Sequence, residues 1–265
     1  MIITSQIIAL AFYLSAIAIL LRQWLTSTTT KQLNLHLTSG IAVISHVLLL
    51  YLTMPTAQGI DIGFFNAMSF TAALMALLLV LASLSQPVAC LGLLVYPFAV
   101  ASIILRIINQ HPHFLSPTLA PGLQAHILFS LLAYSLLSIA VAQAILLYIQ
   151  DKYLHNKHPA GFLRSLPSLE TMEILLFKMI SIGLLALSVS LISGFVYLEN
   201  MFAQHLVHKT ILSLFAWFVF AGLIWGHKTL GWRGKIAIRW TMTGFVLLML
   251  AYFGSKFVIE LILKQ

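Results

Sequence analysis

The chain has 265 residues, of which 61% are hydrophobic and only 8% charged, with a mean hydropathy of +1.02. Soluble domains carry about 25% charged residues, so this composition excludes a soluble globular protein and points to a polytopic membrane protein. The formal net charge of +8 then reports basic loops on one membrane face rather than a nucleic-acid surface.

Eight apolar stretches approach the roughly 20 residues that a bilayer crossing requires. They are 2–21, 34–53, 65–84, 88–108, 123–149, 173–197, 210–227 and 238–260. A lipid-exposed backbone must satisfy its own hydrogen bonds, so these stretches read as helices. The expectation is an all-α bundle of about eight transmembrane helices, forming one integral membrane domain over 1–265. No soluble domain, internal repeat or domain boundary is visible.

The first stretch has no lysine or arginine before it; the first charge, Arg22, follows it. A secretory signal needs a positive start, so this stretch reads as a first spanning helix. The loops after the first, fifth and seventh stretches carry Arg22, Lys31, Lys152, Lys157, Arg164, Lys228, Arg233, Lys235 and Arg239. Basic loops stay cytoplasmic. The opposite loops hold Asp61 and Glu199, with Arg106 and Lys209 near helix ends, where long basic side chains reach the interface. Both termini are therefore expected outside. Ser85-Gln86-Pro87 joins the third and fourth helices as antiparallel neighbours, and the proline-rich 109–122 loop reads as irregular and external. The single cysteine, Cys90, lies in an apolar run and reads as a small core residue; with no second cysteine, an intrachain disulfide is excluded.

Only six acidic residues exist, and none falls mid-membrane in this segmentation. Coupled transporters usually place a carboxylate at membrane depth, so that class is disfavoured. Gly231-Trp232-Arg233-Gly234-Lys235 lacks P-loop spacing, and no nucleophile elbow is present. No enzymatic chemistry is expected.

The histidines remain as candidates, because a histidine in a spanning helix is costly and neutral imidazole is a good ligand for haem iron. His126 precedes Ser130, Tyr134 and Ser138 at steps of four, which places all four on one helix face. A polar stripe on an apolar helix turns into the bundle, either for interhelical hydrogen bonds alone or to present a ligand. His46 lies about 10 Å inside the second helix. It is either a satisfied core histidine or a second group for an outer-half site shared with His126. His227 closes the seventh helix at the opposite face, so depth argues that it serves a separate site; His36 shares its depth. His205 and His208, three apart on one face of a short helix, and His111 and His113, flanking Pro112, read as solvated pairs or as holders of a surface metal; His155 and His158 read as solvated loop histidines. Trp217 and Trp225 suit an interfacial belt, and Gly222 with Gly226 forms a close-packing pair.

Four segments carry a resemblance. They are His126-Ile-Leu-Phe-Ser-Leu-Leu-Ala-Tyr134, Ser193-Gly194-Phe-Val-Tyr197, Ala216-Trp217-Phe through Trp225-Gly226-His227, and Ala251-Tyr252-Phe253-Gly254. In this order they resemble the cytochrome c assembly membrane-protein family, which includes CcsA, CcmC and HemX. With Gly231-Trp232-Arg233-Gly234, they are most similar to its short, YpjD-like bacterial inner-membrane branch. The resemblance implies a multi-pass inner-membrane protein with haem as cofactor, and other membrane proteins as partners beside the lipid bilayer. It implies His126 and His227 as haem-handling histidines, with His46 next. Two departures stand out. Glu199 to Lys209 contains no tryptophan where haem-handling members carry a tryptophan-rich segment, and no histidine follows His227. An external bis-histidine platform is thus incomplete. The expected function is haem binding accessory to haem handling or cytochrome c biogenesis. The alternative is a non-catalytic scaffold or regulator of a partner protein that has lost haem binding.

Overall fold

A computed structural model describes residues 1–26, 32–56, 59–109, 114–115, 120–155, 166–197, 207–254 and 257. Among them are eight helices: α1 Ile2–Thr26, α2 Gln32–Thr53, α3 Phe64–Ser83, α4 Gly92–Ile108, α5 Pro121–His155, α6 Leu169–Tyr197, α7 Val207–Leu230 and α8 Lys235–Met249. A 3₁₀ turn, Ala89–Leu91, leads into α4, and a π-helical turn, Leu250–Gly254, continues α8. With these extensions, all eight are long and apolar enough to cross a membrane, and the chain is a multi-pass helical membrane protein.

Helix boundaries move from expectation where local chemistry outweighs hydropathy. α5 runs to His155, beyond the apolar stretch ending at 149, because nothing in Ile149–His155 breaks a helix. It opens with Pro121 at its first position, where proline's missing N–H costs nothing. α6 starts at Leu169, just after Pro167-Ser168, with Glu170 in its first turn against the positive end of the helix dipole. A small antiparallel sheet was not foreseen: β1 Pro55–Thr56 pairs with β2 Gly59–Asp61, and β2 with β3 Phe114–Leu115. Strands of two or three residues are too short to show alternation.

The chain divides into two compact units: Met1–Pro117 with Ile149–Leu169, and Thr118–Tyr148 with Glu170–Gln265. In the first, α1 to α4 close a cycle in which α1 packs on α2 and α4, and α3 packs on α2 and α4. Lipid is as apolar as leucine, so helices associate through close packing of small residues and interhelical polar bonds. α3 shows this directly, burying Ala67, Ala72, Ala73 and Ala76 beside Asn66, Ser69 and Thr71. Gly92 admits Leu20 of α1 and Tyr96 of its own helix into the space a Cβ would fill.

In the second unit, Gly183 of α6 receives Leu137 of α5, and a Cβ there would lie 2.7 Å from a leucine methyl. Gly244 of α8 receives Phe220 of α7, with a hypothetical Cβ 2.9 Å from the ring. Trp217 Nε1–H of α7 donates to Ser188 Oγ of α6 at 2.8 Å. Tyr134 ties α5 to α8.

Candidate functional site

His126 is the sixth residue of α5, half-buried against α6. Its Nδ1 lies 2.8 Å from the Ser190 carbonyl oxygen and 3.3 Å from Ser193 Oγ. A carbonyl only accepts, so in the neutral ring Nδ1 carries the proton and Nε2 keeps its lone pair. Nε2 has no hydrogen bond among the described residues. The stripe below it turns inward, as the spacing predicted. Ser130 Oγ lies 2.7 Å from Ser190 Oγ and donates to the His126 carbonyl at 2.7 Å. Tyr134 OH donates to the Leu248 carbonyl of α8 at 2.6 Å, and Ser138 Oγ donates back to the Tyr134 carbonyl at 2.7 Å. Tyr252 and Phe253 pack around the Tyr134 ring at centroid distances of 5.6 and 5.9 Å.

His227, in the last turn of α7, repeats this arrangement at the other end of the unit. Its Nδ1–H donates to the Trp232 carbonyl at 2.9 Å, again leaving Nε2 without a hydrogen bond among the described residues. The ring lies face to face with Phe177 of α6, centroids 3.5 Å apart and planes 14° apart. The α7–α8 connection that supplies the carbonyl is built from its glycines. Gly231 (φ +68°) and Gly234 (φ +54°, ψ −123°) take conformations that side chains resist. Gly226 leaves room for the Trp232 indole directly over the α7 backbone. Trp232 N–H returns to the Gly226 carbonyl at 3.2 Å, and its indole packs on Trp240. Glu173 Oε1 accepts the Gly234 N–H at 2.6 Å, while its Oε2 lies 3.8 Å from Arg233 Nε.

Two residues of α6 fix the separation of these histidines. His126 bonds Ser190 and His227 stacks on Phe177, thirteen positions earlier. At 1.5 Å per residue this is about 20 Å along the axis. No single iron is reached by both.

His46 is wholly buried in the first unit. Nδ1 lies 3.3 Å from Tyr13 OH and Nε2 lies 2.9 Å from Ser69 Oγ. In one neutral tautomer Tyr13 donates to Nδ1 and Nε2–H donates to Ser69; in the other both directions reverse. Either way both ring nitrogens are engaged. Above this pair, Arg106 bonds Asn66 and interacts with Asp61. Below it, Tyr96 bonds Ser39. His46 and His126 belong to different units. His36 and His155 lie in α2 and α5, and His208 is exposed at the start of α7. His111, His113, His158 and His205 lie outside the described residues. Among the described residues, no group of three or more His, Cys, Asp or Glu side chains converges.

Sequence reasoning gave Ser190, Phe177, Trp232 and Glu173 no part in holding a histidine. Ser190 and Trp232 contribute backbone carbonyls, to which a side-chain pattern gives no access. Glu173 sits one turn inside α6, and nothing in the sequence shows that it reaches the distant Gly234.

The fold and this arrangement define a class: a polytopic helical membrane protein that holds two imidazoles by backbone carbonyls at opposite ends of one helical unit. The chain belongs to the cytochrome c assembly protein family, whose pattern it matches over residues 33–263. It is 37% identical over 169 residues to the inner membrane protein YpjD of Escherichia coli K12, a match covering 64% of each chain. The chain thus spans a little under two thirds of that relative's length. It is 32% identical to a 28.8 kDa protein of Azospirillum brasilense, over 54% of this chain and 55% of that one. It is 28% identical to the cytochrome c biogenesis protein CcsA of Gloeobacter violaceus, over 34% of this chain and 28% of that protein. No solved structure matches the chain.

Proposed function

We propose that the chain is an inner-membrane haem-binding protein, accessory to haem handling or cytochrome c biogenesis, with both units acting as one integral membrane domain. The supporting observation is the pairing of Nδ1–H with a backbone carbonyl at His126 and at His227. Ligating histidines are held in this way: the second nitrogen's bond fixes the tautomer, aims the ring and raises its basicity. The donor set suits haem, because the porphyrin supplies four of the iron's ligands and one imidazole is enough to hold it. Bound haem supplies the redox-active iron. The chain would supply the Nε2 of His126 or His227 as a ligand, the ring orientation set by Ser190 or Trp232, and an aromatic or apolar surround. His126 is the ligand toward the start of α5, and His227 is the ligand of a separate site. His46 takes part only by exchanging its bond to Ser69 or Tyr13.

The competing reading is a scaffold or regulator that stabilises a partner protein without cofactor or catalysis. What favours it is that Ser130, Tyr134 and Ser138 are all satisfied inside the protein. A hemin titration of the purified protein separates the two. On the haem reading a Soret band develops and shifts on reduction with dithionite. His126→Ala removes or alters one spectral component and His227→Ala another, with melting in detergent recorded to verify folding. Well-folded protein that binds no hemin sinks the haem reading and leaves the scaffold.

A further inference from the structure

The cations at the start of α8 are placed where the protein itself gives them no relief. Arg233, Lys235 and Arg239 are all exposed. Lys235 and Arg239 are four apart, so they share one face, and like charges at that spacing repel. They stand at the positive end of the α8 dipole, where cations are unfavourable, and the first turn of α8 contains no acidic residue. The carboxylate that bonds this connection among the described residues is that of Glu173, and it is already committed to the Gly234 N–H and to Arg233. Neither Lys235 nor Arg239 has an ion pair or hydrogen bond among the described residues. Retention of basic loops on one membrane face explains a count of cations in this connection. It does not explain two unpaired cations stacked on one face of the following helix.

What lies along that face identifies the missing anion. α8 buries Ala237, Ile238, Thr241, Gly244 and Leu248. Its exposed stripe runs from Lys235 and Ile236 through Arg239 to Met242, Val246 and Leu250. The cations therefore sit at the head of an exposed apolar stripe on a spanning helix. The complementary molecule carries an anion at one end and hydrocarbon below it. Trp225, 62% exposed one turn before the last turn of α7, marks this end as the interfacial layer, where such rings accumulate. We propose that Lys235 and Arg239, assisted by Arg233, bind the headgroup phosphate of an anionic phospholipid whose acyl chains lie along the Met242–Val246–Leu250 stripe. This inference does not depend on haem binding.

The test is native mass spectrometry of the purified full chain, exchanged with equimolar dioleoylphosphatidylglycerol and dioleoylphosphatidylcholine. The wild type retains the glycerol lipid in preference to the choline lipid. A basic residue near an anionic surface is worth about fivefold in binding, so Lys235→Gln with Arg239→Gln lowers the preference by about 25-fold. Arg239→Lys preserves most of it. Lys152→Gln with Lys209→Gln, which removes the same charge elsewhere, leaves it unchanged. Melting in phosphatidylcholine micelles verifies folding, and Arg239→Gln alone is read should the double variant fail to fold. Equal retention of the two lipids overturns the proposal. So does a preference that survives the double variant, or one that falls as far in the Lys152/Lys209 control. Displacement of the glycerol lipid by millimolar inorganic phosphate, with equal thermal stabilisation, shows a soluble-anion site and overturns the lipid assignment.

Discussion

The phenol of Tyr134 in α5 joins the backbone of the last helix at Leu248. It donates to the Leu248 carbonyl at 2.6 Å. The Tyr252 backbone also hydrogen-bonds this phenol. Insertion of a side chain into the helical ladder is a recognised cause of local distortion, and here the π-helical turn Leu250–Gly254 follows directly. Tyr134→Phe removes the phenol's bond to the Leu248 carbonyl in an apolar surround. The expected cost is about 1–3 kcal/mol, read as a lower melting temperature in detergent. An unchanged melting temperature shows that this 2.6 Å bond contributes nothing to stability.

Gly226 and Gly222 both face indoles, but not equally. A Cβ at Gly226 would overlap the Trp232 ring, whereas one at Gly222 would lie 3.2 Å from Trp240. Gly226→Ala is therefore expected to destabilise more than Gly222→Ala. The cost at Gly226 is about 1–3 kcal/mol, the usual range for overpacking. Gly222→Leu exceeds what Trp240 can absorb and separates α7 from α8. Thermal melts of the three variants rank them, and a Gly226→Ala protein as stable as wild type contradicts this packing.

At His46, removal of one partner strands the other two. His46→Leu leaves the Tyr13 hydroxyl and Ser69 Oγ without the imidazole, in a region closed to water. A loss of about 1–3 kcal/mol is expected. Ser69→Ala is milder, because it strands one ring nitrogen. A double-mutant cycle between His46 and Ser69 measures their coupling, and a coupling near zero means that the 2.9 Å bond contributes nothing to stability.

The charge asymmetry of the loops sets the expected topology. A periplasm-active reporter fused after Gln265 or within 109–122 is active, and one placed at residue 155 is inactive. The reverse pattern at residue 155 inverts the orientation.

Hydropathy alone sufficed to find the eight spanning helices, because bilayer thickness imposes a length that the sequence must display. The inward turn of the His126–Ser130–Tyr134–Ser138 stripe was equally legible, since a step of four in an apolar helix leaves little freedom. What the stripe bonds to was not. Ser190 and Leu248 offer main-chain carbonyls, which any residue has, and the Ser190 hydroxyl meets Ser130 from 60 positions away. The turn around Gly231 and Gly234 looked only like a basic loop. Its use of Glu173 joins positions 61 residues apart, and no local pattern encodes such a pairing. His46 stood as either a core histidine or a ligand, and the polar partners on α1 and α3 that engage both its nitrogens were invisible to spacing.

His227 takes its proton placement from a carbonyl that belongs to the connection, not to its own helix. The imidazole is therefore a reporter of that fold-back. While Trp232 lies over Gly226, nitrogen-15 shifts of the neutral ring are expected to show the proton on Nδ1 and the lone pair on Nε2. Withdrawal of Trp232 frees the two tautomers to exchange, and the ring loses the bond that fixes its plane. The availability of the Nε2 lone pair is in this way conditional on a contact made by a tryptophan and a glycine, neither of which hydrogen-bonds that nitrogen.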